Sequence, residues 1–450
     1  WHYEVEDMIV LKNNSGTDDN RVRKLDYCIQ FSELFYKRFL KNEDITLFSP
    51  YEAKELYDAF GHENFDELYE QYERKTSLKF KKTIKARKLM SLFIKERVET
   101  GRIYFMNIDH CNQRSAWDDD IKMTNLCVEV LHPTQPLQHP DDKNAEIGIC
   151  ILSAINVLEI QSDAEMEKVC DIIVRILDQL IDYQDYFLPA AENFTKNRRS
   201  LGIGITNFAA YLAKQGVKYT DDEAPNVADE LMEKVQYYLL SSSCDLSSEK
   251  GRCPKFNKTK YSQGWLPIDN YKKEIDEFVT RKHSMDWEGL RARIKEFGLR
   301  HSTVSAIMPC ESSSVIQCST NGIEPIRSYI TYKKSKARTL PVIVPNYSSY
   351  KNKYTLAYDM EDNTGLIKIV GALQKWVDMS ISANMYYNYA HYDNGALPDS
   401  KVIKEILLAY KLGWRTGYYN NTDDGDKQSF NEEEQKDNIE DGCESGACAL

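Results

Sequence analysis

Short apolar runs of strand type alternate with longer segments of helical period along this chain. The strand-like runs lie at residues 101–107, 146–152, 200–205, 302–308 and 414–419. The helix-like segments lie at residues 26–39, 77–98, 162–180, 227–250, 287–297, 366–382 and 401–412. Strands that alternate with helices of this length form βαβ units, in which the strands run parallel. The sequence therefore predicts an α/β architecture with a largely parallel sheet.

The overall charge and the cysteine pattern limit the class of protein. The net charge of −12 over 450 residues argues against a general nucleic-acid or anionic-membrane surface. No apolar run approaches the roughly 20 residues of a transmembrane helix, and no signal peptide is recognisable. The eleven cysteines are mostly isolated in apolar runs, which fits a reducing compartment better than a secreted disulfide framework. We therefore expect a cytoplasmic protein with neither a nucleic-acid nor a membrane partner.

Two segments carry features that predict local packing. Ser162 and Glu165 have the spacing of a capping box, which opens a helix. The apolar residues of this helix recur at helical spacing and predict a core-facing stripe of Val169, Ile172, Ile173, Ile176, Leu177 and Leu180. Gly202 and Gly204 resemble half of a dinucleotide-binding fingerprint, but the third glycine is missing, so we predict a buried strand with close backbone packing.

The run at residues 124–130 places three reactive or polar side chains at alternate positions. If the run is extended, Asn125, Cys127 and Glu129 share one face, because strand side chains alternate with period two. A lone cysteine in an apolar run is usually a small buried hydrophobe. Burying an amide and a carboxylate beside it costs several kcal/mol unless each finds a partner, and a ligand or substrate is a natural candidate.

A proline and a cluster of hydroxyl residues follow the strand-like run at residues 302–308. Residues 309–314 read Pro-Cys-Glu-Ser-Ser-Ser and bring several backbone N–H groups and side-chain donors to one point. Such a turn can cradle a phosphate, although a plain serine-rich loop is the alternative.

His110 and Cys111 are adjacent, which is poor spacing for a shared metal, so we predict structural roles for both and no metal site.

Composition changes at residue 420. The last 31 residues hold ten acidic residues, two lysines and few apolar residues, so they cannot bury enough surface to fold and are expected to form a flexible tail. Cys443 and Cys448 near its end have no packing reason to exist. A zinc site would need two further ligands, and the tail has no histidine. Thiol–disulfide exchange is the remaining sensible role.

Taken together, these motifs resemble the large, catalytic subunit of class I ribonucleotide reductase, most closely the class Ia type. The resemblance covers essentially the whole chain. It rests on residues 125–129, 146–150, 308–313, 321–325, 418–419 and 443–448, which occur in the family's order. It implies part of the family's ten-stranded α/β barrel at residues 1–419, followed by a redox tail at residues 420–450.

The resemblance implies roles for the residues of the central run. Cys127 is similar to the cysteine whose thiyl radical removes the 3′ hydrogen of the substrate ribose. Glu129 resembles the base that takes the proton of the 3′-hydroxyl as the 2′-hydroxyl leaves. Asn125 resembles the amide that orients the ribose hydroxyls. Cys150 resembles one half of the redox pair that supplies two electrons and becomes a disulfide.

Further roles follow from the same resemblance. Pro309, Cys310, Glu311, Ser312 and Ser313 would hold the diphosphate of a ribonucleoside diphosphate. Cys310 is a departure, because the family usually has a hydroxyl residue there, which puts a side-chain contact in doubt.

Tyr418 and Tyr419 resemble the stacked pair that relays a radical to Cys127. The radical would come from a metallocofactor, a di-iron tyrosyl centre, in a separate small subunit, with no cofactor in this chain. Cys443 and Cys448 would reduce the active-site disulfide and in turn be reduced by a thioredoxin or glutaredoxin.

The family's amino-terminal portion has no counterpart in these 450 residues. It comprises the regulatory domain for ATP and deoxynucleotide effectors, the first barrel strands and the cysteine that should face Cys150. We expect the barrel to be completed by a separate amino-terminal chain in a homodimeric large subunit, or else the sequence to be an artificial truncation.

Two other functions are compatible with parts of this pattern. One is a non-catalytic scaffold that docks the small subunit, and the other is a cobalamin-dependent reductase. The tyrosine pair argues against the cobalamin-dependent reductase.

Overall fold

The computed structural model describes residues 1–334 and 339–425, which form a mixed α/β structure. The strands are β1 Tyr27–Phe31, β2 Asp44–Phe48, β3 Lys81–Lys85, β4 Ile103–Asn107, β5 Leu152–Asn156, β6 Gly202–Thr206, β7 Ile330–Lys334, β8 Thr339–Ile343, β9 Met385–Asn388, β10 Thr416–Gly417 and β11 Asn420–Asp423. The helices are α1 Val5–Ile9, α2 Glu33–Lys41, α3 Lys54–Ala59, α4 Phe65–Arg74, α5 Ala86–Thr100, α6 Ile108–Arg114, α7 Asp163–Tyr183, α8 Pro189–Arg198, α9 Phe208–Gln215, α10 Ala224–Lys250, α11 Trp287–Phe297, α12 Glu311–Ile316, α13 Tyr347–Tyr350, α14 Thr364–Gln374 and α15 Asp399–Lys411.

A continuous series of backbone pairings connects the central strands. β1 runs parallel to β4, and β10 pairs with the other side of β4 in antiparallel fashion. The N–H of Tyr418 then donates to Ala383, and the N–H of Ser382 donates to Ile307. The N–H of Ile203 in β6 donates to Val304, and β6 pairs in parallel with β5. The order is therefore β1, β4, β10, residues 379–383, residues 303–307, β6 and β5, and most of these pairings are parallel, as predicted.

The two ends of this sheet differ from its middle in burial and pairing. Every residue of β4 and of β6 is buried, whereas most residues of β1 and β5 are only partly buried. Within the described ranges, β1 pairs only with β4 and β5 only with β6. Each end strand therefore presents one side on which backbone groups lack a strand partner.

Several sequence predictions agree with the structure. The strand predicted at residues 101–107 is β4, and the helices predicted at residues 227–250 and 287–297 are α10 and α11. Ser162 caps α7 by accepting the N–H of Glu165 at 3.2 Å. A Cβ atom at Gly204 would lie 2.7 Å from the carbonyl oxygen of Ala306, which explains the glycine at this close contact between strands.

Other predicted boundaries were wrong. Residues 26–39 contain β1 before α2, and residues 77–98 contain β3 before α5, because pairing with β4 and β2 overrides the local helical pattern. The strand predicted at residues 146–152 begins only at Leu152, and Glu146 forms a single bridge with Gln135. The helix predicted at residues 366–382 ends at Gln374, after which the chain joins the sheet.

The predicted core stripe of α7 was partly wrong. The buried apolar residues of this helix are Met166, Cys170, Val174, Leu177 and Ile181. Ile172, Ile176 and Leu180 are instead 44%, 54% and 44% exposed. The helix carries apolar residues on more than one face, and periodicity alone does not tell which face meets α10.

The strand β11 lies beyond the predicted boundary between barrel and tail at residue 420. Asn420 lies opposite Met385 in a parallel pairing that continues to Asp423 and Asn388. Residues 426–450, with Cys443 and Cys448, lie outside the described residues. Within the described part of the chain, no helix has both the length and the apolar character needed to cross a membrane.

Candidate active site

Cys127 lies in a tight turn, so residues 124–130 do not form the extended run on which strand alternation depended. Thr124 and Leu131 form an antiparallel bridge, and the N–H of Val128 donates to the carbonyl oxygen of Asn125 at 3.2 Å. Val128 has a φ of 62°, a conformation that is strained for a β-branched residue. Such strain persists only where surrounding structure fixes it, and it is often found at functional sites.

The turn has a direct consequence for the side chains of the motif. Leu126 is 60% exposed, whereas Val128 and Val130 are buried. The side-chain oxygen of Asn125 accepts the N–H of Val130 at 2.9 Å and closes the turn. The amide of Asn125 also lies within hydrogen-bonding reach of both Glu129 and Cys150. The polar residues predicted to share a face do converge, but through a turn and not through strand alternation.

Glu129 is a buried carboxylate with few charges around it. Its side chain is 1% exposed, and the Ser382 hydroxyl lies 2.9 Å from its Oε2 atom. The same hydroxyl lies 2.5 Å from the carbonyl oxygen of Cys127, so its single proton can serve either acceptor. Burial raises the pKa of Glu129, while hydrogen bonds from its own backbone, Asn125 and Ser382 lower it. A carboxylate in such surroundings binds a proton more readily than it would in water.

Cys150 lies near this cluster although it precedes β5. Cys150 is exposed as a residue, yet the surrounding protein desolvates its thiol and raises the pKa of that thiol to about 12. The negative charges of Glu129 and Cys127 raise this pKa further, and the hydrogen bond from Asn125 lowers it. The thiol therefore keeps its proton at neutral pH, which suits a donor of hydrogen more than a thiolate nucleophile.

Tyr418 and Tyr419 form an aromatic cluster against Cys127. The hydroxyl of Tyr418 donates to Sγ of Cys127 at 3.4 Å. The rings of the two tyrosines have centroids 4.1 Å apart at an angle of 49°. Burial, and then the charge of Cys127, hold the pKa of Tyr418 far above its ordinary value. The phenol of Tyr418 therefore keeps its proton at neutral pH.

Two residues that the sequence analysis did not single out hold this tyrosine pair. The ring of Tyr104 lies 4.7 Å from that of Tyr418 and 5.6 Å from that of Tyr419. The fully buried guanidinium of Arg97 donates to the carbonyl oxygens of Tyr418 at 2.8 Å and Tyr419 at 3.4 Å. Burial lowers the pKa of Arg97 to about 10. The sequence signal for Tyr104 was its place on the strand at residues 101–107; Arg97 and Ser382 carried none.

The serine-rich turn lies two residues beyond the strand that pairs with Ser382. The N–H of Ser382 donates to Ile307, and Pro309 follows at the end of that strand. Glu311, Ser312 and Ser313 are exposed at the first turn of α12, where helical N–H groups have no partner within the helix. The Cys310 side chain is buried and its Sγ lies 3.7 Å from the Met308 carbonyl oxygen, so it points away from solvent.

His110 and Cys111 are buried in α6, in agreement with their predicted structural roles. The Nδ1 atom of His110 lies 3.0 Å from the carbonyl oxygen of Trp414, and burial lowers the pKa of the ring to about 3. Among residues 1–334 and 339–425, no group of three or more histidine, cysteine or acidic side chains could hold a metal ion.

Comparison with known proteins agrees with this geometry. The family model for the ribonucleotide reductase barrel domain matches residues 1–420. The chain is 46% identical, over its whole length, to the ribonucleoside-diphosphate reductase subunit alpha of Haemophilus influenzae and covers 59% of it. It is 47% identical to the ribonucleoside-diphosphate reductase 1 subunit alpha of Escherichia coli, again over its whole length and 60% of that protein. The corresponding subunit of Enterobacteria phage T4 is 41% identical over 94% of the chain and 57% of the relative.

The chain therefore belongs to the ribonucleotide reductase family and comprises its barrel-domain region. It spans about 60% of the length of the curated alpha subunits that it matches.

Proposed function

We propose that this chain is the catalytic portion of a ribonucleoside-diphosphate reductase, which converts ribonucleoside diphosphates into 2′-deoxyribonucleoside diphosphates for DNA synthesis. The observation that carries the proposal is the convergence of Tyr418, Cys127, Glu129 and Cys150 around one turn. Each residue type there matches one requirement of radical reduction: a relay, a hydrogen-abstracting thiol, a base and a reductant.

The proposed radical route enters through the aromatic pair. Tyr419 passes the oxidising equivalent to Tyr418, whose ring lies 4.1 Å away. A Tyr418 radical then takes the hydrogen atom of the Cys127 thiol across the 3.4 Å between oxygen and sulfur. The resulting thiyl radical removes the 3′ hydrogen of the ribose. A thiol suits this step because its S–H bond is comparable in strength to an activated ribose C–H bond.

Glu129 and Cys150 complete the proposed chemistry. Glu129 accepts the proton of the 3′-hydroxyl as the 2′-hydroxyl leaves as water, helped by the pKa that burial raises. Cys150 and a second thiol together supply two electrons and two protons and become a disulfide. Asn125 orients the ribose hydroxyls with the amide that also reaches Glu129 and Cys150.

We assign the diphosphate to the turn that begins at Pro309. The exposed backbone and hydroxyl groups at residues 311–313 support this assignment. The buried Cys310 side chain leaves the backbone of the turn as the source of contacts at that position.

The working enzyme is proposed to be an assembly. A separate amino-terminal chain would cover the free sides of β1 and β5, bring the second thiol and carry the sites for ATP and deoxynucleotide effectors. A small subunit would generate the radical with its own metallocofactor, and Cys443 and Cys448 would pass electrons from a thioredoxin or glutaredoxin. The large subunit would form a homodimer in the cytoplasm, where reduced thiols are stable.

The scaffold alternative is less well supported. A protein that only docks the small subunit needs no buried base, no thiol beside a tyrosine and no strained turn. The contact between Tyr418 and Cys127 therefore favours catalysis.

The test is ribonucleotide reduction by the purified chain with a radical-bearing small subunit and a dithiol, with and without an amino-terminal chain. We expect deoxynucleotide product only when all components are present. Cys127→Ser should abolish product while the circular dichroism spectrum and melting temperature stay unchanged. Product above background from that variant would refute the radical assignment, and product without the amino-terminal chain would refute the proposed completion of the site.

A further inference from the structure

One short segment connects the serine-rich turn to the tyrosine pair. It begins at Asn321, whose side-chain oxygen accepts the N–H of Cys310 at 2.6 Å. The amide nitrogen of Asn321 donates to Oε1 of Glu311 at 2.9 Å. Asn321 therefore bonds both the backbone of Cys310 and the side chain of Glu311 at the start of α12. A shift of this turn is transmitted directly to the residues that follow Asn321.

Three residues further on, Glu324 contacts the strand that supports Tyr419. The hydroxyl of Tyr386 donates to Oε2 of Glu324 at 2.5 Å. Both the backbone and the side chain of Asn384 also hydrogen-bond the Glu324 carboxylate. The side-chain oxygen of Asn384 in turn accepts the N–H of Tyr419 at 3.0 Å. One side-chain amide thus joins Glu324 to the backbone of Tyr419.

The same segment holds the chain beyond Tyr419. The guanidinium of Arg327 donates to the side-chain oxygen of Asn421 at 3.1 Å. It also lies 5.9 Å from the centre of the Tyr386 ring. The position of residues 419–421 is therefore fixed from two sides by residues 324 and 327.

We propose that Glu324 is a positioning residue that couples the state of the serine-rich turn to the position of Tyr419. The coupling runs through Asn321 on one side and Asn384 on the other. This inference rests on the proposed function, because it assigns the turn to the substrate diphosphate and Tyr419 to radical transfer. The proposed coupling would favour radical transfer when Asn321 holds the serine-rich turn in place.

The chemistry of Glu324 makes this coupling sensitive to pH. Desolvation raises the pKa of Glu324 to about 7, although Tyr386, Arg327 and Asn384 all lower it. The buried phenol of Tyr219 is the other titratable group that senses this carboxylate. The ionised carboxylate accepts bonds from Tyr386 and Asn384 together. The protonated form offers a donor in place of one acceptor, so the link to Asn384 weakens as the pH falls below about 7.

The first experiment measures amide hydrogen exchange at Tyr419 between pH 6 and pH 8, corrected for intrinsic exchange, in the full chain. We expect protection to fall as the pH decreases through 7. Glu324→Gln should remove this pH dependence. Tyr386→Phe keeps the carboxylate but removes one donor, so it should move the transition to higher pH. This measurement needs no substrate and no turnover, so it does not depend on the proposed function.

Glu405→Gln is the matched control. Glu405 is likewise a buried carboxylate that accepts bonds from a tyrosine, Tyr387, and an asparagine, Asn363. It contacts neither the serine-rich turn nor the tyrosine pair in any hydrogen bond of the described residues. This variant should lower the melting temperature without changing the pH dependence of exchange at Tyr419. If both variants lost the pH dependence of exchange at Tyr419 to the same extent, the proposal would be overturned.

The second experiment measures turnover in the complete assembly with saturating ribonucleoside diphosphate. Glu324→Gln should lower kcat by about tenfold, as expected for losing a hydrogen bond to a charged group. Its KM should change little, and the part of the decline of kcat that is centred near pH 7 should disappear, which leaves only the decline that titration of Glu129 causes. If kcat of Glu324→Gln and its pH profile match those of the wild type, the proposed coupling is wrong, while the proposed reductase function still stands. If the wild-type assembly makes no product, the proposed function fails instead.

Discussion

The hydroxyl of Tyr418 lies 3.4 Å from the sulfur of Cys127, although 290 residues separate the two in the sequence. Three hydrogen bonds maintain this contact. Arg97 binds the carbonyl oxygen of Tyr418, and the N–H of Tyr418 donates to Ala383 in the neighbouring strand. On the other side, the Thr416 hydroxyl donates to the carbonyl oxygen of Val128 at 3.0 Å and holds the turn after Cys127. The contact is therefore built by the sheet and not by a flexible loop.

Tyr418→Phe should abolish ribonucleotide reduction. The ring would remain in the cluster, but a phenylalanine carries no hydroxyl to exchange a hydrogen atom with Cys127. We expect product at background level in the complete assembly, with substrate affinity within about twofold of the wild type because no binding contact changes.

Tyr354→Phe is the control for that variant. Tyr354 is also a buried tyrosine whose hydroxyl is bonded, in this case to the Pro345 carbonyl oxygen at 2.7 Å, but it lies outside the cluster. It should retain turnover. Substantial activity of Tyr418→Phe would show that this hydroxyl is not on the radical route.

The raised pKa of Glu129 predicts a decline of kcat on the acidic side of the pH profile. Glu129 can accept a proton only when ionised, so activity should fall as the pH decreases toward a pKa above the ordinary value for glutamate. Ser382→Ala removes a hydrogen bond that favours the ionised form, so the pKa should rise again. We expect the acidic limb of the profile to move to higher pH. A shift to lower pH, or none, would exclude Glu129 as the base.

The sequence was a good guide to the central strands and a poor guide to the site's geometry. Buried strands such as β4 and β6 were predictable because both of their faces are covered, so their apolar runs are continuous. The turn at Cys127 was not predictable, because alternating apolar residues are also compatible with a strand. The turn is closed by Asn125 within the run, and it is held from outside by Ser382 and Thr416, which are distant in the sequence. The roles of the residues came from resemblance, while Tyr104 and Arg97 became visible only through contacts between distant parts of the chain.

Cys150 should react slowly with alkylating reagents despite its exposure. With a thiol pKa of about 12, about one thiol in ten thousand is ionised at pH 8. The rate of modification by iodoacetamide, followed by mass spectrometry of the Cys150 peptide, should rise about tenfold per pH unit up to at least pH 10. Glu129→Gln removes a negative charge that raises this pKa, so it should accelerate the reaction at pH 8. Rapid modification of the wild type at pH 7 would contradict the environment described for this thiol.

The unpaired sides of β1 and β5 predict where the proposed amino-terminal chain would bind. Each strand has one side without a strand partner in the described residues, and such an edge binds another strand through backbone hydrogen bonds. Addition of the amino-terminal chain should therefore slow amide hydrogen exchange in Tyr27–Phe31 and Leu152–Asn156. The antiparallel pair of β2 and β3 is the internal control and should keep its exchange rates, because its partners are already present. Protection confined to the surface helices, with β1 and β5 unchanged, would mean that the two chains associate without completing the sheet.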